Sequence, residues 1–304
     1  MTKLSGSQAI GAGFRVIRAQ PLAPLAWGLV FVVLVLAVQL LGYLQAWPEI
    51  AAAIRAGAGA APDIARVQAA MLPFQLLQFP LSILALTLIY AAIYRAVLQP
   101  RDRSFAYLRF GAQELWILVV LLAICVLFVL LMIGLALAVG ITVFAARGGG
   151  QAPMNPLVGV LIGLAVLTGL LWLGARFSLA LPMTFAERRF RLFESWALTR
   201  GHGWKIVGVM LALVLIVLLI EVAVAMVVIA VAFAVGAGHS AAMAHLADQP
   251  PATILGQIAP WLVVGALIYA ALTGIIHTIV VAPFADIYRQ LTAEPARPAD
   301  FGGL

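Results

Sequence analysis

The sequence predicts an all-α integral membrane protein of six transmembrane helices, arranged as three hairpins that are each preceded by an amphipathic interfacial helix. Three observations predict it: six apolar runs long enough to cross a bilayer, basic residues gathered in alternate loops, and a tryptophan-marked segment that recurs before every second run. Composition points the same way. With 65% hydrophobic and 10% charged residues and a mean hydropathy of +1.13, a 304-residue globule could not show water a polar face.

A span needs about 20 apolar residues at about 1.5 Å per residue. Six segments qualify: 25–46, 72–98, 116–146, 157–185, 205–236 and 261–288. The first competes with a secretory signal peptide, but it is too long for one and the region of Val38-Gln39-Leu40 offers no small-residue cleavage site. It is expected to be retained. The lone cysteine, Cys125, falls mid-span and reads as a small packing residue.

Orientation follows from lysine and arginine. Placing both termini in the cytoplasm of a bacterial inner membrane puts 14 of the 18 basic residues there, among them Arg15, Arg18, Arg95, Arg109, Arg188, Arg200 and Arg289. The far side keeps Arg55, Arg66 and Arg147. The net charge of +7 therefore reads as an address, with added attraction to anionic headgroups, and nucleic acid is not an expected partner.

Each odd-numbered span is introduced by aromatic and basic residues: Phe14, Arg15 and Arg18; then Phe105 and Arg109; then Phe190, Phe193 and Trp196. A tryptophan marks entry each time, at Trp27, Trp116 and Trp204, spaced by roughly ninety positions, which suggests a threefold pseudo-repeat. Interfacial anchoring is the expected role of Phe193, Trp196, Trp204, Trp116 and Trp27. Ile93-Tyr94-Arg95 recurs as Ile287-Tyr288-Arg289. The organisation is thus one membrane domain over 1–290, with hairpin units of about 5–98, 101–187 and 188–290, and a short tail over 291–304.

Gly159, Gly163, Gly169 and Gly174 give the fourth span a face of small residues, for which helix packing is the default explanation. Three ionisable residues fall deep in spans: Arg176, Glu221 and His277. Two readings stand side by side. In one they form a polar chamber that binds an anionic or zwitterionic headgroup or relays protons; in the other they fix helix register through hydrogen bonds and ion pairing.

Metal and hydrolytic chemistry find little support. His239, Met243, His245 and Asp248 share an outer loop, but their spacing matches no established metal site. Gly148 to Gly150 make a turn without the lysine and helix start of a phosphate loop, and no HExxH or Ser/His/Asp arrangement occurs. No metal, cofactor or catalytic residue is expected.

One segment carries a resemblance. Arg176-Phe177-Ser178-Leu179-Ala180-Leu181-Pro182, then Glu187, then Ser195-Trp196-Ala197-Leu198-Thr199-Arg200-Gly201-His202-Gly203-Trp204, resembles the signature of the bacterial membrane-domain family named after glycerophosphoryl diester phosphodiesterase. Ala106-Tyr107-Leu108-Arg109-Phe110-Gly111 with Glu114-Leu115 is similar to that family's preceding cytoplasmic segment. What the resemblance implies is a six-helix membrane domain and no activity, since hydrolysis in such families belongs to a separate barrel domain that is not expected here. Physically, the same segment reads as an anchor in which Arg200 caps carbonyls or binds phosphate and Gly201 supplies a positive-φ ending.

The expected role is a non-catalytic module that binds membrane lipid or a lipid-derived ligand through Arg176, Glu221, His277 and Arg200, and supports a membrane-protein partner, a homo-oligomer or an envelope process. The alternative is a secondary transporter or exporter built around the polar chamber.

Overall fold

The computed structural model describes residues 4–56, 64–102, 105–146, 156–236 and 249–293. All regular structure among them is helical, and six helices are long and apolar enough to cross a membrane. In chain order the elements are α1 (Gly6–Ala19), α2 (Leu22–Phe31), a π-helical turn (Val32–Leu36), α3 (Ala37–Gln45) and α4 (Trp47–Ala56). Then come α5 (Ile64–Leu98), a tight turn at Phe105–Tyr107, α6 (Ala112–Ala146) and α7 (Pro156–Phe177). The last four are α8 (Ala180–Glu187), α9 (Glu194–Leu198), α10 (Gly203–Gly236) and α11 (Pro251–Thr292).

Local chemistry sets these boundaries. Ser5 caps α1 by accepting from Gln8 N–H, and the helix stops at Gln20 because Pro21 follows. Leu22 to Gln45 forms one span despite a five-residue π-helical turn, which widens the helix without ending it. The fourth span, expected over 157–185, is one apolar stretch in which the helix divides between Phe177 and Ala180. Pro182 explains the break: it has no N–H for the Ser178 carbonyl four residues earlier, and its ring crowds that carbonyl. By contrast Pro73 and Pro80 in α5, and Pro260 and Pro283 in α11, are accommodated within continuous helices.

The three lead segments differ from one another. Only α1 is a substantial amphipathic helix, burying Ala9, Ala12 and Gly13 while Phe14 stays exposed. Ahead of α6 the described residues form just the turn Phe105–Tyr107, in which all three residues have positive φ. Its carbonyls are claimed by side chains from the core: Trp27 Nε1 donates to Ala106 O at 2.7 Å and Arg95 Nη1 donates to Tyr107 O. Those tertiary bonds replace the i to i+4 ladder that a helix would use. Before α10 there is only the five-residue α9.

The most extensive helix contact joins α2 to α11, followed by α1 with α11. It is a contact of backbone on backbone. A Cβ on Gly28 would overlap the Ala270 carbonyl, and one on Gly274 would overlap the Pro24 carbonyl, so two reciprocal glycines let α2 and α11 touch directly. Around this seam lies a core that includes Trp27, Ile89, Ile93, Tyr94, Ile117, Phe185 and Val281. Three glycines of the fourth span do not serve this purpose. Open space surrounds Gly163 and Gly169, and a Cβ placed on Gly174 would meet a side-chain atom, Met210 Cε, at 3.2 Å.

Candidate functional site

Polar side chains are placed at one end of the bundle, where α1, the end of α5, the Phe105–Tyr107 turn and the end of α11 converge. Asp286 lies fully buried there, and its carboxylate accepts from Arg15 Nη2 at 3.3 Å, from Arg289 Nη2, and from Gln290 Nε2 at 2.8 Å. The two arginines remain half-exposed, at 52% and 50%. One carboxylate thus orients two guanidinium groups and leaves one positive charge in excess.

These groups border a cleft of about 220 Å³ whose wall also includes Gln20 and Tyr107. Gln20 Nε2 donates to Tyr107 Oη at 2.7 Å, and the phenol in turn faces Pro100 O at 3.4 Å. The cleft therefore offers cationic donors beside a tyrosine hydroxyl that is itself engaged with Gln20 and Pro100 O. That chemistry suits a phosphate or carboxylate.

Beneath it sits a second ion pair with a different character. Arg95 and Glu114 are each only 2% exposed and hydrogen-bonded to one another, with Arg95 also donating to Tyr107 O and to Gln113 Oε1, and stacked 5.4 Å from the Phe185 ring centroid. Buried this way, the pair ties α5 to α6 and to the turn between them. The two matching triplets of the sequence, ending in Arg95 and Arg289, both deliver their arginine to an acid.

The residues singled out from sequence fall into separate settings. Arg176 packs against a pair of indoles that touch edge to face, 5.0 Å from the Trp172 centroid and 5.4 Å from Trp196, with Nη1 at 3.5 Å from Thr199 Oγ1. Its Nε is buried without a hydrogen-bond partner among the described residues. His277 Nδ1 meets Thr273 O at 2.8 Å, and its ring packs on Phe31 and Tyr90. Glu221 is exposed in an apolar groove between α10 and α11. No ion pair among the described residues joins Arg176 to Glu221, and each of the three has its own set of neighbours.

Arg200 is exposed, and Gly201 takes φ +81°, the left-handed ending that turns the chain into α10. Trp204, Phe193, Trp196 and Trp116 all present apolar surface outward. Trp27 differs: it is fully buried, because its indole N–H is spent on Ala106 O. Arg191 bridges Glu187 and Glu194 at 2.8 and 2.9 Å. Its hydrogen bond holds the Glu194 carboxyl below the usual carboxylate range. The outer-loop residues His239, Met243, His245 and Asp248 lie outside the described residues, as do Gly148 to Gly150.

Sequence reasoning placed Arg15 and Arg289 among the loop charges and passed over Asp286. A usable signal existed, since an acid three residues before the second Ile-Tyr-Arg arginine, at the end of an apolar run, calls for a cation. Comparison with protein-family models, curated proteins and solved structures finds no match.

Proposed function

We propose that the protein is a non-catalytic, polytopic module of a bacterial inner membrane, with both termini cytoplasmic, that binds an anionic lipid headgroup or a lipid-derived ligand and supports a partner or envelope process. The observation that carries this reading is the cleft in which buried Asp286 holds Arg15 and Arg289 half-open beside Gln20 and Tyr107. Under the positive-inside assignment that end lies at the cytoplasmic surface, the depth of headgroup phosphates. The hairpin scheme and the kinship with the phosphodiesterase-named membrane family belong to the same proposal. Transport, the alternative, requires a chamber joining Arg176, Glu221 and His277, and their separate surroundings weigh against it.

Native mass spectrometry in mixed micelles of phosphatidylglycerol and phosphatidylcholine tests the proposal. The native protein should retain phosphatidylglycerol preferentially, and Arg15→Gln should lower that preference by about fivefold, the worth of about 1 kcal/mol per basic residue near a headgroup. Asp286 keeps Arg289 and Gln290 in this variant, so the fold should survive. An unchanged preference would remove the cleft from consideration.

A further inference from the structure

A second surface, independent of the headgroup reading, carries its own conclusion. α10 and α11 are consecutive spans, yet they touch only slightly, and between them runs an open groove of about 290 Å³. Met210, Val217, Leu218, Val280 and Phe284 make its wall apolar. Glu221, near the middle of α10, is the one carboxyl group in it. The side chain is exposed and has neither a hydrogen bond nor an ion pair among the described residues.

We propose that this groove docks a transmembrane helix of another protein bearing a lysine or arginine near its midpoint, with Glu221 as counter-ion. An unpartnered glutamate side chain at mid-span depth is costly in hydrocarbon, and a donor cation on a partner helix offsets that cost by giving it a charge-assisted partner. Other occupants fit less well. Lipid acyl chains bring no donor, and their headgroups lie too far along the helix axis. A second copy packed symmetrically would set Glu221 against Glu221. Nor do the described residues offer a spare mid-span cation, because Arg176 is stacked on Trp172 and Trp196 and His277 is turned to Thr273.

The test uses the full protein, donor-labelled, in nanodiscs of zwitterionic lipid, with an acceptor-labelled leucine-rich helix of about 23 residues. One peptide carries a single central lysine; another is leucine throughout; a third carries a central glutamate. Energy transfer should show the lysine helix binding at least about fivefold more tightly than the leucine helix, within the range of interhelical polar contacts in membranes. Glu221→Gln should bring the two to equal affinity. Glu221→Lys should transfer the preference to the glutamate helix, an outcome that a merely damaged fold could not produce. Equal binding of lysine and leucine helices by the native protein would overturn the proposal and leave the groove to lipid. A lysine preference that persists in Glu221→Gln, self-association of the protein that depends on Glu221, or loss of folding in Glu221→Gln would overturn it as well.

Discussion

The first and sixth spans meet backbone to backbone, whereas the fourth and fifth bury side chains only toward one end, such as Ala175, Ile206 and Val209, and leave their most apolar stretches uncovered. In the most apolar stretches of α7 and α10 no residue is buried inside the protein, while the corresponding stretch of α5 is 39% buried. The difference teaches that apolarity and packing are separate properties in such a chain. Leucine and valine satisfy a lipid environment equally well wherever they point, so structure is specified by the exceptions: glycine, tryptophan, and paired charge.

Glycine should give the largest contrast. Gly28→Ala and Gly274→Ala each push a methyl group into a carbonyl of the facing helix and should destabilise by at least about 3 kcal/mol. Gly163→Ala and Gly169→Ala meet open space and should be neutral or slightly stabilising, by up to about 1 kcal/mol of helix propensity. Reversible unfolding in mixed micelles measures both, and equal tolerance would abolish the distinction between the two regions.

Charge should come next. Glu114→Gln leaves the Arg95 guanidinium buried without its counter-charge and is expected to cost about 3 to 5 kcal/mol, part of which Arg95→Met should restore in the double variant. Absence of coupling in that cycle would mean that the pair contributes nothing to holding α5 and α6 together. A smaller contrast separates two tryptophans of similar sequence context. Trp27→Phe strands the Ala106 carbonyl and should lose about 1 to 2 kcal/mol, against under about 0.5 kcal/mol for Trp204→Phe, whose ring is 73% exposed.

The smallest effect is that of pH at the exposed Arg191 bridge. Because Glu194 titrates lower in the folded protein than in the unfolded chain, its contribution is fully present above the ordinary glutamate value and is lost as pH falls through the folded one. Stability between about pH 5 and pH 3 should therefore fall slightly less steeply in Glu194→Gln than in the native protein. Solvent screening keeps the difference small, and a steeper fall in the variant would contradict the assignment.

The six spans were legible because length and hydropathy are properties of each segment taken alone. Their limits agree to within a few residues at Gln45, Leu98, Ala146 and Gly236. The break before Ala180 follows from Pro182, a local feature open to the same reasoning. What sequence could not supply was the identity of facing surfaces. Nothing local distinguishes Gly28, locked against Ala270, from Gly169, which faces open space. Trp27 and Trp204 likewise share a motif and a spacing, and only the turn at Ala106 decides that one becomes core. Asp286 has one local arginine partner, Arg289, but its second arginine, Arg15, lies 271 positions away, and that pairing is not readable from either segment alone.

That separation also bears on how the molecule comes to exist. Ser5 N–H donates to Gln290 Oε1 at 2.8 Å, and α1 finds its main partner in α11, so α1 leaves the ribosome well before the helix that completes its packing. At about 5 to 20 residues per second, the wait lasts roughly a quarter of a minute to a minute. During it the part of α1's apolar stripe that α11 will cover stays open, although α2, α5 and α10 already supply part of its packing. The membrane surface can shelter that stripe in the interval, the basic residues Arg15 and Arg18 facing headgroups, until the sixth span arrives and Asp286 draws Arg15 away. One amphipathic helix would then be read twice, first by lipid during synthesis and afterwards by the finished bundle.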